Sequence, residues 1–530
     1  MRHLLRFQIC LLIAMFSLAS CATAEVPYSH GITVDIAAET IHHGEEVAAF
    51  YELTERQVVW TGAANTENLN QLISAVRMAE SHGLSPEHYH LWILKRAQGG
   101  GADLFVDWFI TDVYFTLAAH LAHGKLDPNN IESTWNFRPA GFDAPTYLHA
   151  ALGGSRVEQS LMDLAPQHEE YQRLREGLNL YRWIEGEGGW PTISAGPTLH
   201  PGDRSPRVAD LRARLEATGD LPQVGEEHRD LFEPGLEIAV SRFQTRSGLN
   251  ADGVVGAVTL AHLNRGARDR IDQLRVTLER WRWLPRDLGA RHLRVNIAGF
   301  QLEAWEDGER AQVHDVIVGR TYRQTPVFSA DMRYLILNPW WETPPSLAVQ
   351  DKLPLFRRDP EVIQRLGYEI RDRQDQIVDS GGINWNLVSA SSFPYRVRQR
   401  PGPENALGRI KFMFPNVHNV YIHDTPAQQL FESGQRDFSS GCIRVAQPLV
   451  LADWVLENRE EWLPEPLRAA VETGTETRID LNSPIPVHIL YFTVVVDEDV
   501  GFRFLNDIYE RDAAVLAELN VPPGYDEGVE

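Results

Sequence analysis

The sequence predicts a multidomain α+β protein, and three observations carry that prediction. From about Glu25 to Pro191 apolar residues recur at helical spacing, as in Leu69, Leu72, Ile73 and Val76. Between Leu199 and about Asn264 three short helical patterns are separated by turns rich in Gly and Asp. From about Arg291 short runs of β-branched and aromatic residues, bounded by Gly, Pro and Asn, replace the helical pattern. With 530 residues and 43% hydrophobic composition there is material for three or four conventional cores.

At the N-terminus, Arg2 and Arg6 precede an apolar stretch, Phe7 to Leu18, and then small residues. This is the layout of an export signal, and the apolar stretch is too short to span a bilayer. Two processing readings compete. Ala22-Thr23-Ala24 offers a cleavage site before Glu25, whereas Leu18-Ala19-Ser20-Cys21 resembles a lipobox that would leave Cys21 lipidated. Either way residues 1–24 read as a signal peptide, and the location expected is the periplasm, with a lipid anchor through Cys21 as the alternative. Cys10 and Cys21 are then lost or modified, so no disulfide is expected. A formal net charge of -23 suits solubility and excludes a nucleic-acid partner.

Residues 25–195 read as a helical scaffold domain. Within it Leu104 to Leu121 is strongly apolar but carries Asp107 and Asp112, which predicts a buried core helix, because carboxylates are costly in lipid. Residues 196–266 form a three-helix unit: Val208, Leu211 and Leu215 mark one helix, Leu236 to Phe243 a second and Thr259 to Leu263 a third. Residues 267–290 read as a connecting helix, with a return to the scaffold as one option. The β-rich domain covers 291–510, with strands expected at Leu293–Ile297, Val313–Val318, Tyr334–Leu337 and His418–Ile422. Residues 346–400 interrupt it and are too long for a structureless loop, which predicts a capping insertion. Pro448 is placed to open a helix through Leu456, and 511–530 read as a polar tail.

The chemistry concentrates late in the chain. Cys442, in Ser439-Ser440-Gly441-Cys442-Ile443-Arg444, stands alone outside the first 21 residues, 19 positions after His423. A buried inert cysteine is the competing reading. A thiol gains nucleophilic power when a nearby imidazole accepts its proton, so Cys442 with His423 is the minimum apparatus for acyl transfer. Gly441 lets a carbonyl approach the N–H groups of Gly441 and Cys442, which are candidate oxyanion donors. Tyr421 shares the strand face of His423, and Arg444 that of Cys442. Arg396, Arg398, Arg400, Arg409, Lys411 and Arg444 form a cationic cluster by sequence, suited to carboxylates. A metal site from His418, His423, Asp424 and Cys442 is disfavoured, since His418 and His423 would face opposite sides of one strand.

Phe243-Gln244, Gly248-Leu249, Asp252-Gly253, Gly256 and Thr259 resemble the peptidoglycan-binding-domain family. His423 followed after fifteen residues by Ser439-Ser440-Gly441-Cys442-Ile443-Arg444 resembles the L,D-transpeptidase (YkuD-type) catalytic domain. Thr325-Pro326, Asn338-Pro339-Trp340, Pro344-Pro345-Ser346, Arg400-Pro401-Gly402-Pro403, Asn405-Ala406-Leu407-Gly408 and Lys411-Phe412 agree with it. Ser440 departs from the usual histidine two before the cysteine, as it does in the large YcbB-like periplasmic subgroup. The resemblance implies Cys442 as nucleophile and His423 as general base, with Gly441, Ser440, Tyr421 and Arg444 as oxyanion or substrate-binding residues. It implies a peptidoglycan L,D-transpeptidase that releases D-Ala from one stem tetrapeptide and forms 3-3 cross-links to another through a cysteine thioester. It implies no cofactor or metal, carbapenems as acylating inhibitors, and other cell-wall synthesis enzymes as further candidate partners. An L,D-carboxypeptidase and a non-catalytic wall-binding scaffold are the alternatives; a sortase-like enzyme fits less well.

Overall fold

A computed structural model describes residues 41–131, 141–222, 228–497 and 501–523. The signal peptide expected at residues 1–24, with Cys10 and Cys21, lies outside the described residues.

The helical region is built around Leu104–His123, whose N-terminus is capped by the Asp103 carboxylate accepting from Phe105 and Val106 N–H. By length and composition this helix could cross a membrane, yet most of it is buried against its neighbours. Its acidic residues explain why. Asp107 is fully buried and accepts from the N–H groups of Val59, Trp60 and Thr61 and from the hydroxyls of Tyr51 and Thr61. Asp112 accepts from His42 and His43 N–H. The carboxylates thus replace water as acceptors for backbone that would otherwise be unsatisfied inside a core.

Helices Pro206–Ala217, Pro234–Arg246 and Ala257–Leu263 enclose a separate core that includes Val208, Leu211, Leu215, Leu236, Val240, Phe243 and Leu263. Here the conserved-looking polar signature turns out to be a clasp: the Gln244 amide donates to Asp252 Oδ1 (2.8 Å) and the Val254 carbonyl (2.9 Å) and accepts from Gly253 N–H (2.9 Å). Gly253 has φ +70°, which explains the glycine.

The helix Ala267–Arg282 does return to the scaffold, packing on Glu169–Gly186 and Leu104–His123. Glu279 and Arg282 form an ion pair with neither side chain exposed, and Arg282 also reaches the His82 carbonyl and the Tyr171 hydroxyl. One continuous hydrophobic cluster runs from scaffold residues such as Leu117 and Leu178 through Leu278 into Leu293, Val295 and Ile443 of the β-rich domain.

That domain is a closed barrel of eight strands: β1 Arg291–Asn296, β2 Gln301–Glu306, β3 Glu309–Ile317, β4 Phe328–Leu337, β8 Ile410–Met413, β9 Ile422–His423, β10 Ile443–Val445 and β11 Thr477–Leu490. Their order around the barrel is β1-β11-β4-β8-β9-β10-β3-β2. Between β4 and β8 the insertion forms its own three-stranded sheet, β5 Trp341–Glu342, β7 Arg396–Gln399 and β6 Tyr368–Arg371, over a core of Trp341, Leu353, Phe356, Tyr368, Trp385 and Val397. This cap begins a few residues before the expected 346, because Trp341 belongs to its core. A hairpin, β12 Val494–Asp497 with β13 Gly501–Phe504, follows β11.

Two expectations need correction. The strand expected at His418–Ile422 is only Ile422–His423, because Asn416 Oδ1 accepts from His418 and Val420 N–H and curls that segment into a turn. The expected polar tail at 511–530 contains the helix Asp512–Asn520, which buries Val515 and Leu519 against Ala267–Arg282. Two apolar positions four residues apart sufficed to dock it.

Replacing the Asp107 carboxylate strands several buried donors at once. Asp107→Ala is therefore expected to destabilise the scaffold by about 3 kcal/mol or more, read as a lower midpoint in denaturant; a midpoint within experimental error of the parent would refute this role.

Candidate active site

The site begins with strand register. Lys411 of β8 pairs with His423 of β9, and His423 pairs with Arg444 of the parallel strand β10. The flanking residues Phe412, Ile422 and Ile443 are fully buried in the barrel core, so Lys411, His423 and Arg444 form a row on the opposite face. Tyr421, two residues before His423, presents its ring edge to it at 5.6 Å and packs against the cap core. Cys442 precedes β10 and is half-buried beside this row.

His423 is buried, and its Nδ1–H donates to the Asp424 carbonyl at 2.5 Å. A carbonyl can only accept, so this bond fixes the tautomer and leaves Nε2 as the proton acceptor. Burial, followed by the Arg444 charge, pushes its pKa down to about 3, so the imidazole is neutral at physiological pH. Asp424 is itself held by Arg409 N–H (2.8 Å), Thr425 N–H (2.7 Å) and the Gln428 amide (3.2 Å). Gly408 is required there, since a Cβ would lie 2.3 Å from the Asp424 carboxyl carbon. The Asn405 amide ties this corner together, donating to the carbonyls of Pro339 and Arg400.

Burial pushes the Cys442 thiol up, against opposing contributions from Tyr421, Lys411 and Arg444. The resting pair is therefore neutral thiol and neutral imidazole. The Tyr421 hydroxyl interacts with the thiol, and burial raises its pKa well above 10, which keeps it a donor. The thiol donates to the Asn419 carbonyl, with sulfur and oxygen 3.9 Å apart.

The turn carrying the thiol is held from both sides. Ser439 Oγ donates to the Cys442 carbonyl (2.6 Å) and accepts from Gly441 N–H (3.1 Å). The Gly441 N–H, expected to face a substrate carbonyl, is thus already engaged. The Cys442 N–H has no partner among the described residues and remains as the backbone donor. Gly441 itself has φ +112°, a conformation that favours glycine. Thr325 Oγ1 donates to the Gly441 carbonyl (3.0 Å) and accepts from Gly319 N–H (2.9 Å). Tyr509 closes the network from far along the chain, its hydroxyl donating to the Gly319 carbonyl (2.5 Å) and accepting from Thr325 N–H (3.2 Å).

Ser440 does not face the thiol. Its exposed hydroxyl accepts from Arg323 (3.0 Å), which also pairs with Asp351 of the cap (2.8 Å). The sequence-level cationic cluster divides: Arg396 pairs with Glu342 and Asp375, Arg398 with Glu369 and Arg409 with Glu472, while Lys411 and Arg444 stay at the thiol. Arg320, Arg323, Lys352 and Tyr509 were not singled out by sequence. Only the fold brings them in, since they lie between 67 and 122 positions from Cys442. Among the described residues no group of three His, Cys, Asp or Glu could hold a metal ion.

Three family models match the chain: a "Scaffold domain" over residues 45–178, a "Putative peptidoglycan binding domain" over 204–263 and an "L,D-transpeptidase catalytic domain" over 290–487. Residues 290–487 belong to the L,D-transpeptidase catalytic-domain family. The chain has the three-part arrangement of the YcbB-like subgroup. A "Putative L,D-transpeptidase" of Haemophilus influenzae is 36% identical over 227 residues, covering 43% of this chain and 46% of that protein. The N-acetylmuramoyl-L-alanine amidase CwlM of Mycobacterium tuberculosis is 28% identical over 218 residues, covering 38% of this chain and 50% of that protein. The chain thus matches about half the length of each of these relatives. A solved L,D-transpeptidase structure from Stackebrandtia nassauensis is 14% identical, with a TM-score of 0.22, covering 57% of this chain and 96% of that one. The Tyr509 segment lies beyond the matched catalytic range in this family member.

Two outcomes follow from this geometry. With the thiol pushed up and His423 neutral, alkylation of Cys442 by iodoacetamide should be slow at neutral pH and climb on a limb above that of a free cysteine; a flat, fast rate from pH 6 to 8 would instead reveal a resting thiolate–imidazolium pair. Tyr509→Phe, which removes both hydrogen bonds to the turn, should slow this alkylation about tenfold by letting the thiol drift with the melting temperature nearly kept. An unchanged rate would remove Tyr509 from any positioning role.

Proposed function

We propose that the protein is a peptidoglycan L,D-transpeptidase working through a Cys442 thioester. The observation that carries this reading is the row Lys411, His423 and Arg444 across three adjacent strands, with the thiol at its edge.

In the proposed mechanism His423 Nε2 takes the thiol proton as sulfur attacks the carbonyl of the third residue of a donor stem tetrapeptide. The tetrahedral oxyanion is met by the Cys442 N–H and the Tyr421 hydroxyl, and the adjacent cations offset its charge. His423, now imidazolium and braced by the Asp424 carbonyl, returns the proton to the departing nitrogen, so that D-Ala leaves as a neutral amine. The side-chain amine of a second stem then attacks the thioester, giving up a proton to His423, which restores it to the sulfur. The product is a 3-3 cross-link, with one D-Ala released per bond formed. His423 is neutral and its Nε2 can take a proton, but the burial and the Arg444 charge that keep it neutral also weaken it as a base until the developing oxyanion offsets them, and the thiol becomes ionised only as it attacks. Ser440 acts in this scheme through Arg323 and the cap, without touching the oxyanion. Gly441 serves by its conformation.

Cell-wall action is extracytoplasmic, consistent with a signal peptide at 1–24 and a periplasmic location. The 204–263 module would hold the enzyme near its polymer, and carbapenems would acylate the same sulfur. Water attacking the thioester would give an L,D-carboxypeptidase; the half-exposed thiol leaves room for that branch.

The full chain and Cys442→Ala, incubated with disaccharide-tetrapeptide and resolved by mass spectrometry, separate these outcomes. Dimers lacking one D-Ala, absent with Cys442→Ala, are expected. Loss of D-Ala without dimers would establish the hydrolytic reading, and no change in either sample would favour a wall-binding scaffold.

A further inference from the structure

Around the thiol several cations make no direct ion pair. Arg323, Arg396, Arg398, Arg409 and Arg436 are each paired with a carboxylate. Among the described residues Lys352, Lys411, Arg444 and Arg320 have none within 4.0 Å, although all lie about Cys442 or about one another; Asp351 and Glu476 act on Lys352 and Lys411 only from farther off. Lys352, Lys411 and Arg444 are half-buried, and Arg444 Nε is fully buried with no hydrogen-bond partner. Taking charge out of water without a counter-ion costs several kcal/mol per group, so this arrangement stores an unmet demand for an anion.

The two lysines are held by aromatic rings in place of acids. Lys411 Nζ lies 3.8 Å from the Tyr421 ring centroid, and Lys352 Nζ lies 4.8 Å from that of Trp341 and 5.1 Å from that of Tyr368. A ring face steadies an ammonium while leaving its charge and most of its N–H donors available. Lys352 ends the π-helical turn Ala348–Lys352, and its neighbour Asp351 is clamped by Arg323, which also holds Ser440 two residues before the nucleophile. The cap therefore presents a cation to the thiol turn through a fixed connection.

We propose that Lys352 of the cap and Arg444 of β10, flanked by Lys411 and with Arg320 at the rim, bind a carboxylate of the peptide that reacts at Cys442. The cap thereby completes the specificity of the site. This rests on the reading of Cys442 as the reacting thiol and adds the group by which its substrate is recognised. The half-buried position of Lys352, Lys411 and Arg444 and the overall negative charge of the protein favour a single carboxylate over a polyanion.

The test uses two reagents that differ only in that group. Iodoacetate carries a carboxylate and iodoacetamide a neutral amide, and the same thiolate attacks the methylene carbon of each with loss of iodide, so their rate ratio cancels any change in thiol pKa. Alkylation at the Cys442 peptide of the full chain is followed by mass spectrometry. The ratio of iodoacetate to iodoacetamide rates should exceed that of N-acetylcysteine by about tenfold and should fall several-fold in Lys352→Gln and in Arg444→Gln. A ratio equal to that of the free thiol, or one untouched by both substitutions, overturns the proposal. A second arm compares tetrapeptide donors with free and amidated carboxylates: KM should rise on amidation in the parent, and Lys352→Gln should erase most of that difference. If no peptide turns over while the reagent ratio and its loss in the variants persist, the carboxylate site stands and the transpeptidase reading fails.

Discussion

The parallel pairing of β10 with β9 is the constraint on which the site depends. It closes the barrel between its two shortest strands, and the same register sets Arg444 opposite His423 and brings Cys442 to the row's edge. Two paired residues cannot hold a seam by themselves. Ile422 and Ile443 supply apolar burial from beneath, while Ser439, Thr325 and Gly319 hold the preceding turn by hydrogen bonds. A shift of one residue in that pairing would turn His423 into the core and Ile422 out of it.

The support extends well outside the barrel. Tyr509 stacks on Tyr491 at 5.6 Å, and the Tyr491 hydroxyl accepts from Tyr509 N–H while donating to Asp507. Asp512, at the start of the last described helix, accepts from Thr493 and from Arg280 of the connecting helix. A continuous set of contacts therefore links the helical scaffold to the Cys442 turn, and the shared hydrophobic core makes scaffold and barrel one packed unit.

The electrostatics divide along the same lines. Some structural arginines are neutralised by acids, as with Arg280 and Asp512 or Arg294 between Glu170 and Glu303, whereas Arg214 and Arg270 meet carbonyls and aromatic rings. At the thiol, aromatic rings and buried backbone take the place of acids. Burial there keeps His423 and Cys442 uncharged at rest, and the adjacent cations become valuable only when negative charge develops.

Much of this was legible in the sequence because local rules govern it. Apolar spacing gave the helices, the Gly-Cys turn and the histidine at a strand end gave the reactive pair, and two carboxylates marked Leu104–His123 as a core helix. Other readings failed where long-range contacts compete with local ones: Asn416 curled an expected strand, and burial of Val515 and Leu519 made a helix of an expected tail. A one-dimensional cluster of arginines could not show which of them meet acids, since ion pairs such as Arg409 with Glu472 join residues distant in the chain. The sequence by itself determined the architecture and the family resemblance and nominated Cys442 and His423 as the candidate pair, because these rest on residue type and short spacing. Only the tertiary structure decided that Gly441 N–H is occupied, that Tyr509 holds the segment beneath the turn and that Lys352 of the cap comes near Arg444. Hydrogen bonding and charge pairing act over a few ångströms in space, whatever the separation along the chain.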